Sequence, residues 1–408
     1  MRILFVAMSN SVHTARWINQ IADEGWDIHL YSSASTEVHP LLRNTTVHDC
    51  LIRRSGLGAN VHTPGALPWP LPRGARGPKA VMLIARGMRE LTPFKDNRGV
   101  RLARLIRRLE PDIVHSLEIQ HAGYLTLEAK RNLGGRFPPW IVTNWGSDIY
   151  LFGNLAEHAH RISDVLANCE YYGCECQRDV CLGRQFGFTG EALPILPNAG
   201  GFNLEWANSL RQSGPTSQRC VILVKGYQGW AGRALVALRS LQMCVDEVRA
   251  YRVVVYSAGP EVGKTATRLA RSTGISVEIL KHTPYEAMLR LFGQARIYLG
   301  LSMSDGISTS LLEAMVMGAF PIQSCTSCAD EWIVDGETGI LVPPEDPERV
   351  AAAIRRAVSD DLLVDGAAER NAQIAQDRLD ERQIRPQVIA MYQRIADEHR
   401  EWPRGRRT

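Results

Sequence analysis

No stretch of this sequence approaches the ~20 consecutive apolar residues that a membrane-crossing helix needs, so no transmembrane helix is expected. A large excess of either charge is also missing. Lys and Arg number 47 against 43 Asp and Glu, a formal net charge of +4, too small to make nucleic acid the expected partner. Cysteine is scarce: nine, an odd number, are scattered through 408 residues. That is no disulfide framework and agrees with a reducing compartment. There is no short repeat, and the composition and length set aside collagen-like and coiled-coil architectures. The apolar start, residues 1–7, is too short for a secretion signal and lacks a small-residue cleavage site. It reads as a first strand, and the expected location is cytoplasmic.

What is present is an ordinary globular composition, 45% apolar and 22% charged, over a length that suggests two or three domains at ~150 residues each. Short β-branched runs alternate with amphipathic stretches. Strands are expected at 3–7, 28–31, 113–115, 140–143, 165–167, 221–224, 252–256, 277–279, 297–301 and 320–323. Helical periodicity lies between most of them, as at 14–24, 100–109, 231–245 and 264–272. Such alternation predicts an α/β chain of doubly wound, Rossmann-like parallel sheets. The polar stretch 207–219, with Gly214-Pro215, interrupts it and reads as a linker. The expected domains are therefore 1–206 and 220–379, followed at 380–408 by a helix and a basic tail. Residues 56–79, rich in Gly and Pro, read as a long loop. Ligands of parallel sheets bind beyond the carboxyl ends of the strands, so two such domains facing each other would share one cleft.

After the strand at 297–301 comes Ser302-Met303-Ser304-Asp305-Gly306-Ile307-Ser308-Thr309-Ser310-Leu311-Leu312-Glu313-Ala314-Met315. This is a turn, a helix start rich in capping residues, and a carboxylate about one turn inside. Unpaired amides and the helix dipole make such an end an anion site, and the carboxylate can accept hydrogen bonds from a ribose. On these residues alone, an ordinary capped helix with a surface Glu fits as well. Downstream stand Gly318-Ala319-Phe320-Pro321-Ile322 and Glu331-Trp332-Ile333-Val334-Asp335-Gly336-Glu337-Thr338-Gly339-Ile340-Leu341-Val342-Pro343.

The whole stretch resembles the signature of retaining nucleotide-sugar glycosyltransferases of family 4, which have the two-domain GT-B fold. The resemblance implies a fold of two Rossmann-like domains facing a central cleft, with a C-terminal helix. Their pattern has two carboxylates. The second is Glu313; the first position holds Asp305, one methylene shorter. By resemblance, Asp305, Gly306 and Ile307 face the transferred sugar, Ser308 and Thr309 lie near the diphosphate, and Glu313 holds the ribose. The family also has cations after the first strand of its second domain, where Lys225 and Arg233 stand here. Arg233 is equally readable as a solvated first-turn residue. Residues 258–265 nearly spell a phosphate-binding loop, but Ala258 and Pro260 break that pattern and Gly259-Pro260 reads as a strand end.

In the first domain, Ser9, Asn10 and His13 follow the first strand and are candidate acceptor-side contacts. Thr143-Asn144-Trp145-Gly146-Ser147-Asp148 resembles the family's Thr-x-His-Gly-x-Asp element, with Trp145 in place of His and Asp148 as the candidate acceptor-side carboxylate. His115 reads as a buried structural histidine, and His121 lies beyond the same strand. Cys169, Cys174, Cys176 and Cys181 fall within thirteen residues, and the segment 170–182 reads helical, which gives structural thiols. No Asp-x-Asp pair follows a strand, so no metal and no other cofactor is implied.

Between residues 52 and 108, thirteen Lys and Arg stand against Glu90 and Asp96 alone. Arg86, Arg89, Lys95, Arg98, Arg101, Arg104, Arg107 and Arg108 fit either a solvated helix face or attraction to an anionic membrane. The expected partners are thus a nucleoside diphosphate sugar, a glycan or lipid-linked acceptor, and an anionic membrane surface that the enzyme visits from the cytoplasmic side. The resemblance implies a retaining transferase acting in polysaccharide or glycolipid assembly. The alternatives are a GT-B sugar-nucleotide epimerase and a non-catalytic nucleotide-sugar-binding protein.

Overall fold

The computed structural model describes residues 1–34, 37–50, 52–53, 57–68, 98–281 and 283–399. Of the expected loop at 56–79, residues 57–68 are among these, while Arg86, Arg89, Lys95 and the basic tail at 403–408 lie outside them. The chain divides into two compact units. The first comprises Met1–Gly200 together with the chain from Arg385 onward, and the second Gly201–Ile384.

The first unit is built on a seven-stranded parallel sheet. Its strands are β1 (Arg2–Ala7), β2 (Asp27–Ser32), β3 (Thr46–His48), β4 (Ile113–Leu117), β5 (Trp140–Thr143), β6 (Tyr171–Gly173) and β7 (Glu191–Ala192), in the spatial order β3-β2-β1-β4-β5-β6-β7. Its central strands read as near-continuous apolar runs because both faces of a parallel sheet are covered. On one face Leu4, Val6, Val114 and Val142 pack in a core with Leu102, Ile106, Leu125, Ile162 and Val165. The covering helices are α1 (Val12–Asn19), α2 (Arg98–Leu109), α3 (Tyr124–Leu133), α4 (Ala156–Leu166) and α5 (Gln177–Gln185).

Two expectations in this unit are corrected. Residues 165–167 are not a strand: Val165 and Leu166 end α4, where with Ile162 they complete an i, i+3, i+4 buried stripe. The strand comes next, at Tyr171–Gly173, inside the stretch 170–182 that periodicity assigned to a helix; α5 begins only at Gln177.

The second unit holds a six-stranded parallel sheet: β8 (Val221–Lys225), β9 (Arg252–Tyr256), β10 (Ser276–Ile279), β11 (Ala295–Gly300), β12 (Phe320–Ser324) and β13 (Ile340–Val342), in the order β10-β9-β8-β11-β12-β13. Its helices are α6 (Ala234–Met243), α7 (Pro260–Thr273), α8 (Tyr285–Gln294), α9 (Thr309–Val316), α10 (Pro347–Ser359) and α11 (Asp361–Arg378). One face of the sheet packs on α6, α7 and α10 through residues such as Leu238, Leu269 and Ile354. The other packs on α8 and α9 through Phe292, Leu311 and Met315. Residues 207–219, expected as a linker, belong to this unit and include the buried Thr216 and Arg219. The last helix, α12 (Glu381–Glu398), starts in the second unit and ends in the first. Residues 258–265 form the strand end and the start of α7, with Pro260 as its first residue. No helix among the described residues is long and apolar enough to cross a membrane.

Candidate active site

β8 and β11 are neighbours in the second sheet, so the residues that follow them meet at its carboxyl edge. Lys225 is the last residue of β8 and is 8% exposed. Its Nζ donates to Ser308 Oγ at 3.0 Å and stands 3.9 Å from Asp305 Oδ2. Burial holds the Lys225 ammonium below its ordinary pKa, and the nearby carboxylates of Asp305 and Glu313 oppose that shift. The Tyr227 ring covers the same ammonium, with its centroid 4.7 Å from Nζ.

Ser308 is the N-cap of α9, yet its side chain makes no capping bond. Its hydroxyl accepts from Lys225 instead. The first amides of a helix have no carbonyl behind them, so Thr309 and Ser310 present donors at this end, beside a buried cation. Glu313 follows on the same helix and is 8% exposed. Gly306 and the buried Ile307 complete the turn.

The segment after β11 is held in place from two sides. Met303 N donates to Ala231 O at 3.2 Å, and Arg233 N to Leu301 O at 2.9 Å. Ser324 Oγ donates to Ser302 O at 2.6 Å from the end of β12. The glycines of the loop after β8 serve packing against its neighbours: a Cβ on Gly226 would lie 2.6 Å from the carbonyl oxygen of Tyr256. Arg233 is placed differently from Lys225. Its guanidinium pairs with Glu345 at 2.8 Å and bonds the carbonyls of Gly229 and Gly232. The structure therefore brings Lys225, Asp305, Ser308 and the start of α9 together and engages Arg233 elsewhere.

In the first unit, Ser9 is buried, lies 2.8 Å from Ser32 Oγ and donates to Glu37 O at 3.0 Å. Asn10 is exposed in the turn after β1. His13 lies in the first turn of α1, its ring centroid 5.6 Å from that of Trp145. Asp148 is buried, and both of its oxygens are occupied by backbone: Oδ1 accepts from Trp145 N at 2.7 Å and Oδ2 from Ile119 N at 3.0 Å. Burial raises its pKa well above the ordinary value for an aspartate, with Glu118 adding to the rise. Its direct role is to fix the Trp145 loop to the turn that follows β4.

His115 is fully buried between Tyr392 OH at 2.6 Å and Thr143 Oγ1 at 2.7 Å, in keeping with a structural histidine. Glu118 was not legible as special. It adopts φ +80°, which is strained in a residue other than glycine. Its carboxylate accepts from His121 N and Ala122 N and lies 3.3 Å from His121 Nδ1. That hydrogen bond raises the pKa of the largely exposed His121. Tyr227 was also missed; a Tyr in a glycine-rich loop gives no signal of the lysine behind it. The cysteines are all free thiols.

With the geometry in place, the chain can be set beside known proteins. Residues 225–360 match the family described as Glycosyl transferases group 1. Residues 2–61 and 82–170 match that described as Glycosyl transferase 4-like. The chain belongs to these glycosyltransferases. Similar solved structures include sucrose-phosphate synthase from Thermosynechococcus elongatus, 14% identical with a TM-score of 0.67, covering 98% of this chain and 100% of that one. A glycosyltransferase from Rickettsia africae ESF-5 is 14% identical with a TM-score of 0.61, covering 97% and 98%. Anabaena HepE, in complex with UDP-glucose, is 13% identical with a TM-score of 0.64, covering 96% and 99%. No curated protein sequence matches significantly. This glycosyltransferase has the GT-B fold of two Rossmann-like parallel-sheet domains.

Proposed function

We propose that this glycosyltransferase moves a sugar from a nucleoside diphosphate sugar to a hydroxyl acceptor with retention of anomeric configuration. The observation that carries the reading is the convergence of Lys225, Asp305 and Ser308 at the start of α9, with Glu313 one turn along. In this reading Lys225 and the first amides of α9 face the diphosphate, Glu313 accepts from the ribose, and Asp305 and the amides of Gly306 and Ile307 hold the sugar. The bond from the anomeric carbon to the β-phosphate oxygen breaks, and the acceptor oxygen bonds the same face. The acceptor's proton leaves on the departing phosphate. Charge that develops on the diphosphate is met by preorganised donors, so the reading requires no metal. HepE in complex with UDP-glucose supports a donor of this class.

The acceptor is a glycan or a lipid-linked glycan, with His13 and Trp145 on its side and the enzyme at the cytoplasmic face of a membrane. Arg104, Arg107 and Arg108 are exposed on α2, and each basic residue close to an anionic surface contributes up to ~1 kcal/mol. The test is incubation of purified protein with UDP- and GDP-sugars, with and without acceptor. Slow donor hydrolysis and an α-linked product from an α-donor support the reading. Interconversion of donor epimers without acceptor points to an epimerase, and binding without any turnover to a binding protein.

A further inference from the structure

We propose that the second unit carries a second anion site, at the edge of its sheet opposite the donor residues. It is built on Arg211 and Arg290 and takes a small phosphate-bearing ligand. The region lies where strands begin: Arg219 precedes β8, Ala295 opens β11, and Met317 and Gly318 lead from α9 into β12. A cavity of about 310 Å³ opens there, lined by Arg211 and Arg290 with Ser209, Gln212, Ser213 and Gln294.

Two buried arginines in this unit differ in how their guanidinium groups are satisfied. Arg296 is 2% exposed, and its guanidinium is satisfied by the carbonyls of Ser217, Ala357 and Val358 and by the Asp361 carboxylate. Arg219 is 1% exposed, but only its Nη1 is bonded, to Ala295 O at 3.3 Å and Met317 O at 3.0 Å. Its Nε and Nη2 have no partner. The neighbouring Arg211 adds to the deficit. Its guanidinium lies over Gly318, where a Cβ would come within 2.1 Å of Nη2. No ion pair or side-chain hydrogen bond joins Arg211 to the other described residues. Burial and the repulsion of Arg211 push Arg219 down to about 10. The opposing carboxylate, Asp365, is already engaged by Ser217 N at 2.8 Å and Ser217 Oγ at 2.7 Å.

A buried guanidinium with a half-buried one beside it calls for a counter-charge. Arg211 lines the cavity together with hydroxyl and amide groups and with Arg290, which also pairs with Glu286 at 2.8 Å; guanidinium, hydroxyl and amide donors suit the several oxygens of a phosphate. Behind Arg211 lies the turn that leaves α9, where Arg219 Nη1 donates to Met317 O and Thr216 Oγ1 donates to Gly318 O at 2.7 Å. Occupancy would therefore act on the same helix that starts at Ser308.

The test is thermal unfolding of the full chain titrated with inorganic phosphate at constant ionic strength, with chloride as the control. A rise in melting temperature with phosphate and not with chloride is expected, retained in Lys225→Ala, whose change lies at the donor site. Arg211→Gln should weaken the apparent phosphate affinity tenfold or more. Arg290→Gln, a change at an exposed side chain that removes its i,i+4 pair with Glu286, should weaken it severalfold. An equal response in wild type and both arginine variants overturns the proposal. So does an equal effect of chloride, or loss of the response in Lys225→Ala alone.

Discussion

Lys225 Nζ donates to Ser308 Oγ across 3.0 Å, joining the last residue of one strand to the residue that starts the helix after the next strand over. A serine at this position would ordinarily turn its oxygen to the helix amides. Here it turns to a buried ammonium, and the amides at the start of α9 are left to a ligand. One hydrogen bond thus sets a cation and a set of oriented donors side by side.

Replacing Lys225 with Ala should lower turnover by about 10² to 10³, the usual consequence of removing one preorganised donor to a developing negative charge. Transfer assays on the wild type and the variant check this. The acceptor KM should change far less than kcat.

Glu313→Gln keeps the shape and removes the charge. UDP and GDP affinities should fall about tenfold, or ~1.4 kcal/mol, if this carboxylate accepts from the ribose. Calorimetric titration measures it; unchanged affinity for both nucleotides contradicts the ribose role.

Asp148→Ala leaves the amides of Trp145 and Ile119 without their acceptor. A buried donor left unsatisfied costs roughly 1–3 kcal/mol, so the urea midpoint should drop clearly. Trp145 should lose its fixed position, readable as a change in its fluorescence against a Trp145→Phe reference.

His115 is held neutral by burial, its pKa pushed down to about 3 from 6.5. Between those values the unfolded chain binds more protons, so stability rises with pH there. The contribution is fully present above about 6.5 and is lost as pH falls towards 3. From pH 7 to pH 5 this group should remove about 2 kcal/mol of unfolding free energy. His115→Leu should flatten that part of the dependence; urea unfolding at the two pH values compares the slopes.

The long buried strands were legible because both-sided burial writes them as β-branched runs: 140–143 and 252–256 match β5 and β9 to the residue. Thr46–His48, Glu191–Ala192 and Ile340–Val342 were not, because two or three residues carry no periodicity. The 165–167 error has the same root, since three apolar residues fit a strand and the end of a buried helical stripe equally well. Lys225, Asp305 and Ser308 were legible through the resemblance, which sets candidates at the carboxyl ends of strands 221–224 and 297–301; that the three meet is what the structure adds. The direction of Arg233 was not, as its partner Glu345 lies far along the chain. Nor could the sequence indicate that both oxygens of Asp148 are taken by backbone.

The most direct test is calorimetric titration of UDP and GDP into the wild-type protein and into Lys225→Ala and Glu313→Gln. The account predicts that the wild type binds at least one of the two, and that each substitution weakens that binding while the fold stays intact by circular dichroism. Absence of binding by the wild type, or the same affinity in all three proteins, would contradict it.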